Sequence, residues 1–180
     1  EQAKGEILLF NDGDRILTPE ILNEHIRIHN ENKNCVCIGN SIDVYSKMSK
    51  ENYKDYVYNL LFDEKCSERK RMFYYYYQQL VVKIFDENTG KCNSDFAWLA
   101  LMSGNVSLSK SNFVLSGGFD VSFTKWGIEN MEFGYRLMKM NMEYVFNKKA
   151  ENIHIFHVEN RNINNLSKSI TYFYKKSGND

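Results

Sequence analysis

Apolar residues in this chain come in two spacings that take turns. Residues 6–10 (Glu-Ile-Leu-Leu-Phe) are a short apolar run of the kind found in buried strands, and the run stops abruptly at Asn11-Asp12-Gly13-Asp14. Thr18-Pro19-Glu20 then reads as a helix start, with Thr as N-cap, Pro at the first helical position and Glu in the first turn. This helix is predicted to reach about His29, with Ile21, Leu22 and Ile26 facing inward. Residues 34–38 return to strand spacing and put Cys35 and Cys37 on one face. Residues 49–62 and 67–85 each predict a helix, the first packing Tyr53, Val57, Leu60 and Leu61. Residues 98–110 alternate like a strand interrupted at Gly104 and Asn105, and Ser111 is placed to cap a short helix through Leu115. Residues 143–146 and 152–156 read as strands, and 162–176 as a closing helix that packs Ile163, Leu166, Ile170 and Phe173. Strands alternating with helices predict the α/β class, and 180 residues suit one domain.

The second half is organised around Gly117-Gly118-Phe119-Asp120 and the run from Trp126-Gly127-Ile128-Glu129-Asn130 to Phe133-Gly134-Tyr135-Arg136-Leu137. The glycine pair suits a turn that needs positive φ. Glu129 and Glu132 sit in the first turn of a predicted helix, where the helix dipole favours negative charge. Glu132 and Arg136 are four residues apart and can pair along one face. Trp126, just before the helix, offers a flat face to a ring-shaped ligand.

Charge narrows the function. The 23 basic and 23 acidic residues cancel, which argues against an electrostatically driven nucleic-acid binder. The basic and aromatic run over residues 69–77 is therefore read as a helix with one solvated and one packed face, the alternative being a nucleic-acid or membrane patch. No apolar run is long enough to span a bilayer. Cys35, Cys37, Cys66 and Cys92 show no CxxC or zinc spacing, which points to a reducing, cytoplasmic setting.

Asp12-Gly13-Asp14 places two carboxylates after a predicted strand, the usual ligand position in open α/β sheets. Their hard oxygens suit Mg²⁺ or Mn²⁺, and Gly13 between them permits a tight turn and close ligand approach. A calcium loop of EF-hand type does not fit, because Arg15 takes the place of the required glycine and Ile21 that of the bidentate glutamate. Downstream, His154 and His157 end an apolar strand. Their spacing of three puts them on opposite faces, so both reach one ion only if the strand ends or bends between them, and His157 is favoured.

Taken together, these blocks, with Gly5-Glu6-Ile7-Leu8-Leu9-Phe10 and Ser103-Gly104-Asn105-Val106-Ser107, resemble glycosyltransferases of the nucleotide-sugar-binding GT-A fold. The resemblance is to the C-terminal portion of the inverting family 2 and to the galactosyltransferase family 7 module. It is weakest over 41–95, which is expected to be a variable helical insert ahead of an acceptor module at 96–158 and a C-terminal helix at 159–180. The implied fold is Rossmann-like, a mixed sheet flanked by helices. The implied activity is metal-dependent inverting transfer of a sugar from a UDP-hexose or UDP-N-acetylhexosamine to a hydroxyl of a carbohydrate or glycoconjugate. The expected location is the cytoplasm, or peripherally the inner face of a membrane. Asp12 and Asp14 would hold Mn²⁺ or Mg²⁺ on the donor diphosphate, with His157 or His154 completing the shell. Gly13, Asn105, Gly117, Gly118, Asp120, Trp126 and Gly127 would shape the donor and acceptor pocket. The family places Glu-Asp where this chain has Glu129-Asn130, and the Asp is the expected general base. An amide cannot accept that proton, so either Glu129 serves, or activity is weak, or it is lost and the domain binds a sugar or nucleotide-sugar without turnover. The family's first strands, which hold the base and ribose, are expected upstream of this sequence. Against both functional readings stands an α/β domain whose glycines and aromatics only build the fold.

Overall fold

The computed structural model describes residues 3–45, 52–74, 76–124, 127–156 and 163–178. The opening apolar run is β1 (Ile7–Phe10), followed by β2 (Arg15–Leu17), α1 (Ile21–Glu31) and β3 (Cys35–Tyr45). Then come α2 (Tyr53–Phe62), β4 (Met72–Tyr74), α3 (Tyr76–Val81), β5 (Val106–Ser109) and α4 (Lys110–Leu115). The described chain closes with α5 (Glu129–Lys139), β6 (Glu143–Phe156) and α6 (Ile163–Ser177). One mixed sheet runs β1-β5-β3-β6-β2, with β4 paired to β3. β3 and β6 are parallel, and the remaining pairs are antiparallel. The expected α/β class is therefore found.

The two faces of the sheet have different covers. Val36, Ile38, Val106, Leu108 and Tyr144 pack against Phe133 and Leu137 of α5 and against Ala97, Ala100 and Leu101. Further along, Val44, Ile16 and Ile153 pack with Leu60 of α2. Each fully buried Leu or Phe of this layer contributes about 2–3 kcal/mol by leaving water. On the opposite face Ile28 of α1 packs with Cys35, Cys37 and Val145. Cys35 and Cys37 thus share one buried face, as expected, and both are free thiols. Burial pushes the Cys35 thiol up to about 12.

α1 departs from the sequence reading. Its inward stripe is Ile21, His25, Ile28 and His29, while Leu22 and Ile26 are exposed. The cause is a polar network that the sheet offers. His25 Nε2 lies 2.9 Å from Asn105 Oδ1 and His25 Nδ1 lies 2.7 Å from Ser107 Oγ. His29 Nε2 lies 2.8 Å from the same Ser107 Oγ. Because the Asn105 Oδ1 can only accept, His25 carries its proton on Nε2, Ser107 donates to its Nδ1, and His29 donates to Ser107. Thr18 does not cap α1 either, since its hydroxyl donates to Glu151 O at 2.7 Å.

Burial holds both histidines below their usual pKa, His29 down to about 4. Between that value and the unfolded value near 6.5 the unfolded chain binds more protons. The stabilisation is therefore fully present above pH ~6.5 and is lost as pH falls toward ~4, about 3 kcal/mol for His29 alone. The expected result is a melting temperature that drops across this window and a drop that shrinks in His29→Gln, as measured by thermal denaturation at fixed ionic strength.

Elsewhere the boundaries move. The single helix expected over 67–85 is a 3-10 turn (Ser67–Arg71), strand β4, α3 and a second 3-10 turn (Val82–Ile84). Arg69 ends α2 by donating to the Leu60 and Leu61 carbonyls at 3.0 and 2.8 Å, so this basic residue satisfies helix-end acceptors. The stretch 41–95 is not a purely helical insert, because it begins inside β3 and adds β4 to the sheet. Residues 97–100 form a 3-10 turn rather than strand, and Ser109, not Ser111, caps α4 by accepting from Asn112 N. Residues 143–156 are one strand. Its pairing with β3 shifts at Gly39/Asn40, where Gly39 faces Asn147 and Asn40 faces Glu151. α6 packs through Leu166, Ser169 and Phe173, leaving Ile163 and Ile170 exposed.

Candidate functional site

β1 and β2 lie at opposite edges of the sheet, so the Asn11-Asp12-Gly13-Asp14 connection crosses from one edge to the other. Side chains pin it along the way. Asn11 donates to the Arg15 carbonyl at 3.2 Å and accepts at 2.8 Å from Asn152 of β6. Asn152, fully buried, also donates to Gly104 O at 2.7 Å and accepts from Ser41 Oγ at 2.8 Å. Asp12 accepts from Arg15 Nε at 3.2 Å, and the Arg15 guanidinium lies where a side chain on Gly104 would be. The Asp14 carbonyl accepts from Ile155 N at 3.1 Å.

Beside this turn His154 stands between two carboxylates. Its Nδ1 is 2.8 Å from Asp43 Oδ1 and its Nε2 is 3.4 Å from Asp14 Oδ2. Asp43 is buried on β3, and its hydrogen bond, above all, raises the His154 pKa. A carboxylate can only accept, so Nδ1 carries a proton and Nε2 faces Asp14. A proton on Nε2, which the raised pKa favours, sets a positive charge against the Asp14 carboxylate. Carboxylate oxygens suit hard divalent ions such as Mn²⁺ or Mg²⁺, whereas an imidazole oriented by a second carboxylate is a donor for softer divalent ions. Among the described residues no group of three His, Cys, Asp or Glu side chains is arranged to hold a metal ion. His157 and Trp126 lie outside the described residues.

The glycine pair is connected to the same turn by aromatic packing. Phe10, the last residue of β1, is 5.4 Å from Phe113 and 5.5 Å from Phe119, ring centre to ring centre. Phe119 follows the glycines and lies 4.5 Å from Phe133 of α5. Gly117 and Gly118 have φ of +79° and +68°, as the turn reading required. The carbonyls of Ser116 and Gly118 accept from Arg136, which also pairs with Glu132 at 2.6 Å, so the expected Glu132–Arg136 pair is present. Lys176 of α6 joins in, 2.8 Å from Glu132 and 2.6 Å from Asp120. Lys176 first, then the Ser122 N–H, hold the Asp120 carboxyl well below the usual range.

At the start of α5 the Gly127 N–H donates to Glu129 Oε2 at 2.7 Å, and Gly127 has φ of +114°. Ile128 at the N-cap has φ of +74°, a strained value for a β-branched residue. Asn130 is half-buried in the first turn. Asn105 is buried and its side chain is fully engaged: Nδ2 donates to Asn40 O and Ala150 O at 3.0 and 2.9 Å, and Oδ1 meets His25. Of the residues singled out in the sequence, the structure brings Asp14 to His154, and packs Phe10 before the turn onto the glycine loop. Asp120 is tied to α6, and Asn105 to the β3–β6 junction. Arg15, Asp43 and Asn152 were not foreseen. The alternation Ser41-Ile42-Asp43-Val44 was the available signal for Asp43. A groove of about 1010 Å³ opens at the other end of β1, lined by Lys4, Ile7, Lys33 and Lys110, and the Asp12–Asp14 turn is not part of it.

Residues 83–160 match a family model described as the N-terminal domain of galactosyltransferase. An uncharacterized glycosyltransferase, YfnE of Bacillus subtilis, is 20% identical over 200 residues, covering 98% of this chain and 51% of that protein. A chondroitin synthase of Escherichia coli is 31% identical over 104 residues, which is 50% of this chain and 14% of the synthase. The chain thus spans about half the length of YfnE and a smaller share of the synthase. In three dimensions it superposes on GalNAc-T7, crystallised with UDP, GalNAc and Mn²⁺, with a TM-score of 0.59 and 11% identity, over 95% of this chain and 31% of the other. Among the described residues no helix is long and apolar enough to cross a membrane.

Proposed function

We propose, from the premise that this chain is a glycosyltransferase module of the GT-A fold, that it carries the leaving-group and acceptor half of a nucleotide-sugar-dependent transferase. The supporting observation is the Asp12–Asp14 turn laid across the sheet, with Asp14 against an imidazole that Asp43 orients. Asp14, Asp12 and one histidine would hold Mn²⁺ or Mg²⁺. That cation would neutralise charge gathering on the departing diphosphate. UDP and Mn²⁺ in GalNAc-T7 make a UDP-sugar the donor of choice for this reading. The acceptor hydroxyl oxygen bonds to the anomeric carbon as the bond from that carbon to the phosphate oxygen breaks. Its proton passes to a carboxylate at the start of α5, and the configuration inverts. Of the two carboxylates there, Glu132 is buried against Arg136, which leaves Glu129, and Gly127 N–H orients it. Asp120 and Arg136 hold the glycine loop against α5 and α6, which shapes the sugar pocket.

A second reading is a sugar or nucleotide-sugar binding domain without turnover. It is favoured by Asn130, which cannot take a proton, and by the engagement of Glu129 with its own helix start. The two readings part in an assay of UDP release from UDP-hexoses and UDP-N-acetylhexosamines with Mn²⁺ and with chelator. Turnover that needs the metal and disappears in Glu129→Gln supports the enzyme. Binding without turnover, with activity gained in Asn130→Asp, supports the second reading.

A further inference from the structure

The junction where β6 changes its pairing with β3 is held by groups that the reaction above does not use. A register shift takes backbone groups out of the ladder, and the buried ones need another partner. Side-chain amides supply it here. Asn105 Nδ2 donates to Asn40 O at 3.0 Å and to Ala150 O at 2.9 Å, one carbonyl on each strand. Gln78 of α3 donates to Gly39 O at 3.0 Å and accepts from Ser41 N at 3.2 Å. Gly39 N–H donates to Asn105 O at 2.9 Å, and a Cβ on Gly39 would collide with Asn105 Oδ1 and Ala150 O. Ala150 lies two residues before Asn152, which holds Asn11 and Gly104 beside the Asp12–Asp14 turn, and four before His154.

Only one orientation of the Asn105 amide closes this junction. With Nδ2 on the two carbonyls, Oδ1 needs a donor; turned over, Oδ1 would meet two oxygens that cannot donate. The donor is His25 Nε2 of α1, 2.9 Å away. His25 has its proton on that nitrogen because Ser107 Oγ, at 2.7 Å, donates to Nδ1, and His29 Nε2 at 2.8 Å fixes Ser107 in turn. His25, His29, Asn105 and Ser107 are all buried, so loss of one leaves a buried polar atom without its partner. We propose that His25 is a positioning residue, acting through Asn105 to hold β6 in the register that sets His154 opposite Asp43 and against Asp14. Its effect on turnover rests on the glycosyltransferase reading; its effect on the register does not.

The test compares variants in the ¹H–¹⁵N spectrum of the whole chain and in UDP release from UDP-sugars with Mn²⁺. His25→Gln puts an amide NH₂ at the place of Nε2, His25→Asn reaches only the place of Nδ1, and His25→Leu offers neither. In His25→Leu and His25→Asn the Asn105 side-chain protons are expected to exchange about tenfold faster, the scale of one lost hydrogen bond. The backbone amides of residues 151–155 shift in the same two variants, and His25→Gln restores both signals. UDP release falls about a hundredfold in kcat in those two, the scale of an ångström-sized misplacement, and recovers in His25→Gln. Ile28→Val, a core change on the same helix, controls for lost stability: it lowers the melting temperature and leaves these signals in place. If His25→Leu fails to fold, His25→Asn against His25→Gln carries the comparison. Three outcomes overturn the proposal: wild-type exchange at Asn105 in His25→Asn, a His25→Gln no better than His25→Asn, or the same shifts in Ile28→Val. The expected spectra in a chain that releases no UDP uphold the role of His25 in the register and remove the enzyme reading. UDP release at the wild-type rate in His25→Asn upholds the enzyme and removes the positioning role.

Discussion

Asp14→Asn is expected to lower sugar transfer by about two to three orders of magnitude while the protein stays folded. The substitution keeps the size of the side chain and removes its negative charge. The Asp14 carboxylate is 37% exposed, and its backbone carbonyl accepts from Ile155 N, a tie that the variant retains. The loss therefore falls on charge stabilisation rather than on the fold. Asp12→Asn is expected to cost less, because Asp12 already shares its charge with Arg15. Initial rates of UDP release over a range of Mn²⁺ concentrations, with melting temperature as the folding control, measure both. Wild-type rates in Asp14→Asn would show that the leaving group is handled elsewhere.

Arg136→Met is expected to cost about 3 kcal/mol of folding stability, the scale for breaking a buried ion pair from one side. Glu132 is only 1% exposed, and Arg136 gives it two hydrogen bonds, at 2.6 and 2.9 Å. Without the guanidinium, Glu132 retains Lys176 as its ion-pair partner among the described residues, and the Ser116 and Gly118 carbonyls lose the Arg136 donor. Urea unfolding at neutral pH reads the loss. A change under about 1 kcal/mol would place this pair with ordinary surface ion pairs. Because the same guanidinium holds the Gly117-Gly118 turn, the variant should also weaken sugar binding at temperatures where it remains folded.

Local pattern carried the reading of this chain as far as contacts stayed local. The strand after Gly5, the left-handed glycine pair and the Glu132–Arg136 pair each depend on neighbours within a few residues, and each is present as expected. The failures share a cause. Leu22 and Ile26 were assigned inward because they are apolar, but His25 and His29 hold those places, with partners about eighty residues away in sequence. Residues 67–85 have helical spacing, but Met72–Tyr74 is drawn into the sheet by the free edge of β3. Asp43 and Asn152 became visible as site residues only when parallel pairing set β3 beside β6.

That pairing also decides what the far end of the sheet is made of. Before the shift at Gly39, Val36 and Ile38 stand beside Tyr144 and Phe146; after it, Asp43 and Tyr45 stand beside His154 and Phe156. Residues 148–150 are passed over, and three is an odd number, so β6 changes parity against its partner. Even-numbered residues that served the hydrocarbon layer in the first half turn outward in the second. Asn105 clamps the looped-out stretch from both sides, through Asn40 O and Ala150 O. With an even count there, the imidazole would be interred under α2 and the isoleucines would face the other way. A detour of three residues, held shut by one amide, is what hands chemistry rather than grease to the open side of the molecule.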